Sequence, residues 1–300
     1  MRTGKFRSII NYKIKIKRSI IMRFLAVMAL AITLGLTIPF INTANSADYG
    51  TIPKQEHVQM LYPTVLVRVG NAGAGSGTVV YSKTNDENEY ESYILTNWHV
   101  VRNNINVREE WDSDKKERVE RETRRPVHVD LWEYNNYSTA VGTVGRIANI
   151  VAYDKSRDLA LLRIEDTERQ MPYVAMLYPE NEDDGPWLFS QVYAVGAGLG
   201  KPPFPTMGLL SGYSRDLEGN ALYLASAPII FGNSGGAGYV LSIRGNYEVI
   251  GVPSMVSGYG WGNVVTHMGW WRPIPEIRIF LRESGYGRIL GDKPSETTEE

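Results

Sequence analysis

The sequence predicts an all-β protein, a sandwich or barrel of short strands. Three observations carry that expectation. The chain holds 29 glycines alongside much Val, Ile, Thr and Tyr, a mixture that suits strands joined by tight turns. From Tyr62 onwards, apolar runs bounded by turn residues recur at short, regular spacing. Helical periodicity is scarce and clear in one place only.

The strands are read in order as Pro63–Val69, Gly77–Tyr81, Tyr93–Thr96, Val127–Trp132, Val141–Tyr153, Leu159–Ile164 and Gln191–Val195. A second group comprises Thr206–Gly212, Ala221–Ser226, Ala237–Leu241, Tyr247–Met255 and Asn263–Thr266. Near the end, Ile274-Pro275-Glu276 opens a run with Ile277, Ile279, Phe280 and Leu281. Proline in the first turn and Gly285 beyond the end mark Pro275–Ser284 as a C-terminal helix. Residues 291–300 are polar and acidic, and are expected to be a disordered tail. Between the third and fourth strands, Arg108–Arg125 is a nearly unbroken run of mixed charges with Trp111 as its one large apolar residue. It reads as a solvated loop or short surface helix, the core of an insert loop over 105–126.

The first 47 residues form a separate unit. They carry eight Lys or Arg and no acid, basic from Arg2 to Arg23 and uncharged from Phe24 to Ile41. A short stretch of small and polar residues, Asn42–Ala47, follows. That order is the order of a secretory signal peptide cleaved after Ser46 or Ala47. The alternative is an uncleaved signal anchor, since eighteen apolar residues approach the length needed to span a bilayer. Met22 offers a second start, because the basic stretch is longer than a signal peptide requires. Either way the domain over 48–290 is expected to be exported, periplasmic or secreted, with membrane contact only through residues 24–41 if uncleaved.

Composition excludes several classes. Without its leader the chain has 24 basic against 33 acidic residues, a balance that disfavours binding to nucleic-acid phosphates. The cysteine count is zero, so no disulfide and no thiol nucleophile is available. His57, His128 and His267 show no ligand spacing with one another, and neither a metal nor a cofactor is expected.

Three motifs carry chemistry. Ile94-Leu95-Thr96-Asn97-Trp98-His99-Val100-Val101 ends a strand on a histidine. Asp154-Lys155-Ser156-Arg157-Asp158-Leu159-Ala160-Leu161-Leu162 puts an aspartate at the mouth of an apolar strand. Phe231-Gly232-Asn233-Ser234-Gly235-Gly236 sets a serine among glycines. A serine hydroxyl is a poor nucleophile at neutral pH; it needs an imidazole to take its proton, and the imidazole needs a carboxylate to fix its tautomer. A glycine-rich turn also lets the amides of Gly232 and Ser234 converge where an oxyanion would form. Each motif alone suits a structural turn, but the three together, each at the end of a β pattern, point to Ser-His-Asp chemistry.

With these motifs the chain resembles the trypsin-like, chymotrypsin-fold serine proteases, and especially their bacterial HtrA/Deg-like branch. The resemblance runs from about Tyr62 to Leu281 and includes Gly75-Ser76-Gly77-Thr78 and Val195-Gly196-Ala197-Gly198-Leu199-Gly200. It implies two six-stranded antiparallel β-barrels, a C-terminal helix and a cleft between the barrels. By position it makes His99 the general base, Asp158 its orienting partner and Ser234 the nucleophile, with the oxyanion hole at Gly232 and Ser234. Arg157 departs from the family, standing where many relatives have Ser or Thr; altered local packing is expected there, with the triad unaffected. The His-to-Asp separation of 59 residues is also longer than usual, and no PDZ domain is expected after the helix.

The resemblance places the primary pocket at Ala227-Pro228-Ile229 and Val252-Pro253-Ser254, making Ile229, Val252 and Ser254 the candidate substrate-binding residues. No acid lies there, so a small or medium apolar residue is expected before the cut bond. The implied activity is endopeptidase hydrolysis of polypeptide substrates through an acyl-enzyme. A catalytically silent peptide-binding module of the same fold is the alternative, and an esterase using the same site is a second.

Overall fold

The computed structural model describes residues 54–292, apart from 71–72, 137–138, 181–185 and 261. The expected leader and the tail beyond Asp292 lie outside the described residues. In chain order the first elements are β1 (Thr64–Arg68), β2 (Ala74–Thr84), β3 (Tyr90–Thr96) and a one-turn helix, α1 (Trp98–Val101). A hairpin of β4 (Ile105–Asp112) and β5 (Glu117–Arg124) precedes β6 (Val127–Asn136), β7 (Thr139–Asp154) and β8 (Leu159–Ile164). The second half contains β9 (Met176–Leu177), β10 (Gln191–Gly196), β11 (Phe204–Arg215), β12 (Ala221–Ala225) and β13 (Ala237–Leu241). It ends with β14 (Tyr247–Tyr259), β15 (Asn263–Pro273) and helix α2 (Ile274–Glu283).

These strands make two closed antiparallel barrels of six strands each. The first runs β1-β2-β3-β8-β7-β6, and β6 pairs back onto β1. The second runs β13-β10-β11-β12-β15-β14 and closes through β14 on β13. The two-residue β9 adds in parallel to β14 at Glu248 and Val249. Each of the twelve barrel strands corresponds to one strand read from the sequence.

The pleat explains how one strand serves two cores. Side chains alternate between faces along a strand. On β8, Ala160, Leu162 and Ile164 point into the first barrel, where they join Val65, Val67, Ile94 and Val129. Leu159 and Leu161, one residue out of step, join Tyr93 and Leu95 in a larger cluster. That cluster also holds Val192, Leu210, Ile250 and Trp271 of the second barrel and Ile277 and Phe280 of α2. An apolar layer therefore runs between the barrels and under the helix. Each buried Val, Leu, Ile or Phe side chain contributes about 1.5–3 kcal/mol, more than an exposed ion pair at the rim supplies.

Two expectations need correction. The insert is neither a loop nor a surface helix: β4 and β5 pair along their whole length, from Ile105 with Arg124 to Asp112 with Glu117. The ribbon pairs only with itself and most of its residues are exposed on both faces, so it never shows the apolar alternation by which a strand is recognised. The last barrel strand is also longer than Asn263–Thr266, continuing through Trp270 and Trp271 to Pro273. Gly269 and Pro273 disguised it. The helix itself begins at Ile274, after an extended Pro273.

Candidate active site

The end of β3 is fixed before α1 begins. Thr96 Oγ1 donates to the carbonyl of Ser76 (2.7 Å) and Asn97 Nδ2 donates to the carbonyl of Asp158 (2.8 Å). His99 follows on α1, and its ring is about one-third exposed.

Asp158 closes the turn between β7 and β8 in the left-handed region, with φ at 51°. Aspartate tolerates that conformation better than most side-chain-bearing residues. Its carboxylate is 15% exposed and accepts three sets of hydrogen bonds. The His99 amide reaches Oδ1 at 2.9 Å. His99 Nδ1 lies 2.8 Å from Oδ2 and 3.0 Å from Oδ1. The hydroxyl of Ser254 donates to Oδ2. An ionised carboxylate only accepts, so the neutral imidazole carries its proton on Nδ1 and leaves Nε2 with a free lone pair.

Ser234 lies in the turn before β13. Its carbonyl accepts from the Ser76 amide at 2.7 Å. Ser76, fully buried on β2, also donates its hydroxyl to the carbonyl of Gly232 (2.6 Å) and accepts the Ala197 amide (2.7 Å). Asn233 closes the turn from within, its Oδ1 accepting from the amide of Ile230 at 3.0 Å. Gly232 has φ +98° and Gly235 has φ +83°. A Cβ on Gly235 would sit 2.2 Å from both the Ser76 carbonyl and Thr96 Oγ1, so no larger residue fits. The amides of Gly232 and Ser234 have no internal acceptor among the described residues.

Ser254 joins the two halves of the site. β14 carries an irregularity in its pairing with β15, where Pro253 pairs with Trp271 and Met255 with Trp270. Ser254 is the extra residue, and a bulge both frees a carbonyl and re-aims a side chain. The carbonyl accepts from Ser234 Oγ at 3.5 Å while the hydroxyl binds Asp158. Ser234 Oγ makes that long bond and none to His99 among the described residues.

Ile229, Val252 and Ser254 were the expected pocket residues. Ile229 and Val252 are 4% and 1% exposed within the inter-barrel cluster, with Ile229 packed against Gly269. Ser254 is buried with its hydroxyl committed to Asp158. The bridging roles of Ser76 and Ser254 had no signal in the sequence beyond membership of the two motifs. Among the described residues no group of three or more His, Asp or Glu side chains is arranged to hold a metal ion.

Residues 75–252 match the trypsin-like peptidase domain family, and the chain belongs to that family. In fold it is similar to the HtrA-type protease AlgW, seen in two structures with tripeptide. Both are 20% identical, with TM-scores of 0.53 and 0.52, covering 77% and 79% of this chain. The chain spans 62% and 64% of those AlgW chains, less than two thirds of their length. The structure of Deg5 is 23% identical over 73% of this chain and 87% of its own, with a TM-score of 0.49. No curated protein sequence matches the chain.

Proposed function

We propose that this chain is a serine endopeptidase in which Ser234 is the nucleophile, His99 the general base and Asp158 the carboxylate that orients it. Ser234 Oγ attacks the scissile carbonyl and His99 Nε2 takes its proton. The amides of Gly232 and Ser234 stabilise the oxyanion. The imidazolium then gives the proton to the leaving amine, and an acyl-enzyme ester remains on Ser234. Water, deprotonated in turn by His99, hydrolyses that ester and releases the free serine. Asp158 stays ionised throughout, holding the imidazole and balancing its transient charge.

The observation that carries this reading is the shared partner. Ser254 binds Ser234 through its carbonyl and Asp158 through its hydroxyl, and Asp158 binds His99. The three side chains are thus within one connected hydrogen-bond chain. The 3.5 Å bond from Ser234 is long and easily given up, and catalytic contacts of this kind tighten when substrate arrives. The substrates are polypeptides, and neither Ala227-Pro228-Ile229 nor Val252-Pro253-Ser254 carries an acid that would select a basic residue before the cut. Export follows from the order of basic, apolar and small residues over 1–47.

A second reading, a silent binding module of the same fold, is favoured by one observation: Ser234 Oγ faces Ser254 and not His99. Labelling of the full chain with a serine-directed fluorophosphonate separates the two. The protease reading expects labelling of the wild type at neutral and alkaline pH, and none of Ser234→Ala or His99→Ala. A wild type that stays unlabelled, or that labels as well without His99, sinks it.

A further inference from the structure

The turn that presents Asp158 is tied to the terminal helix by ion pairs. Arg157 is their centre. Its Nη1 lies 2.5 Å from Asp154 Oδ2 and 3.0 Å from Glu283 Oε2, and its Nε lies 3.0 Å from Glu276 Oε2. The Asp154 carboxylate also caps the turn, accepting the Arg157 amide at 2.9 Å. Glu276, on the first turn of α2, uses its other oxygen to accept the amide of Ala221 at 2.7 Å, where β12 begins. The Arg157 and Glu276 side chains are only 19% and 9% exposed. One residue earlier, Asn220 donates to the Ser156 carbonyl and hydroxyl at 3.1 and 2.8 Å.

This arrangement lies between elements and not within a barrel interior. It joins a turn of the first barrel to the terminal helix and to the second barrel, directly before a residue held at positive φ. A guanidinium suits the task, because its planar fork binds several carboxylates at fixed angles where an ammonium would bind them loosely. Burial works against its charge, but its bonds to Asp154 and Glu276 more than offset that and hold its pKa above the usual range.

We propose that Arg157 is a positioning residue for the site. By locking the β7–β8 turn to α2, it fixes the direction of the Asp158 carboxylate and, through it, the tautomer and orientation of the His99 ring. The proposal rests on the reading of Asp158 as the orienting carboxylate. It assigns a task to a side chain that touches neither substrate nor nucleophile.

The test compares full-length wild type with Arg157→Met, Arg157→Lys and Glu276→Gln. Nitrogen NMR of the imidazoles above their titration range reads the fraction of His99 protonated on Nδ1, and kcat and KM are measured on a polypeptide substrate. Arg157→Met should lower the Nδ1-protonated fraction and reduce kcat by about tenfold or more, the scale on which small misplacements act, with KM within about twofold. Arg157→Lys should recover part of both. Should Arg157→Met fail to fold, Glu276→Gln carries the same expectation, because it keeps an acceptor for Ala221 and replaces the oxygen that binds Arg157 with an NH2 donor. Variants with wild-type tautomer and wild-type kcat overturn the proposal, as does a kcat loss in which the tautomer is unmoved. An unlabelled, inactive wild type whose tautomer still responds to Arg157 removes the protease reading and leaves the positioning role. A labelled wild type with indifferent variants does the reverse.

Discussion

At the scale of single residues, the site depends on hydroxyls and glycines that act on backbone. Ser76→Ala removes the donor to the Gly232 carbonyl and the acceptor of the Ala197 amide. Buried polar groups left without partners cost about 1–3 kcal/mol, so thermal unfolding should fall by several degrees. Fluorophosphonate labelling should slow more than that loss of stability explains, because the Gly232–Ser234 turn loses its tether. Gly235→Ala is harsher. It adds a methyl 2.2 Å from two oxygens at a positive φ, and strain plus overpacking of this kind costs about 2–5 kcal/mol; urea unfolding measures it. The His99, Asp158 and Ser234 motifs were legible because each is a compact string of residues at a strand end. Ser76 and Ser254 were not, since a hydroxyl that bridges two loops is defined by what folding brings beside it. Ser254 read as a pocket residue for want of any sign that a bulge would turn it towards Asp158.

At the scale of elements, most barrel strands were legible because a buried face writes Val, Ile and Leu into the sequence. The buried end of β15 was not, since residues 269–273 are Gly, Trp, Trp, Arg and Pro. Where no face is buried the pattern is missing, and the β4–β5 ribbon shows it. Its register sets Arg108 opposite Arg121 and Glu109 opposite Glu120, like-charge pairs that weaken a ribbon. Its base is better held, with Arg124 donating to the carbonyls of Ile150 and Val151 and Tyr153 donating to Glu122. The outer part contributes little to stability. Replacing residues 108–121 by an Asn-Gly turn between the paired Val107 and Glu122 should shift the melting temperature by no more than about 3 °C. That turn type matches two strands directly opposed. A large loss on circular-dichroism melting would mean that the ribbon packs on something it does not touch here.

At the scale of the whole molecule, the barrels meet through an apolar layer bordered by buried charge. Arg272 of β15 holds Asp216 at 2.5 Å, the pair being 5% and 13% exposed, and also reaches the carbonyl of Ser156. Burial raises the pKa of Asp216, but Arg272 and Asn220 more than offset it and leave it lowered. A folded value below the unfolded one, about 3.9, gives stability that is fully present above that value and is lost as the pH falls through the folded value. The contribution of this pair to the urea midpoint should therefore be constant from neutral pH down to about 5 and fall below about 4, so Asp216→Asn should make the acid limb shallower. A variant with the wild-type acid limb would place the sensitivity elsewhere.

The bonds that build the site have one more property: the partners lie far apart along the chain. Ser76 and Gly232 are separated by 156 residues, Asp158 and Ser254 by 96, and His99 and Asp158 by 59. Contacts of such high order form late, because each must first overcome the entropy of closing a long loop. A chain emerging from the ribosome carries His99 and Asp158 well before β14 exists, and the strand that supplies Ser254 also closes the second barrel. A complete set of these bonds can therefore appear only when nearly the whole domain has been made. Timing is thereby written into topology: a half-finished or truncated chain ending before β14 would hold the histidine and the aspartate without the residue that links them to the serine.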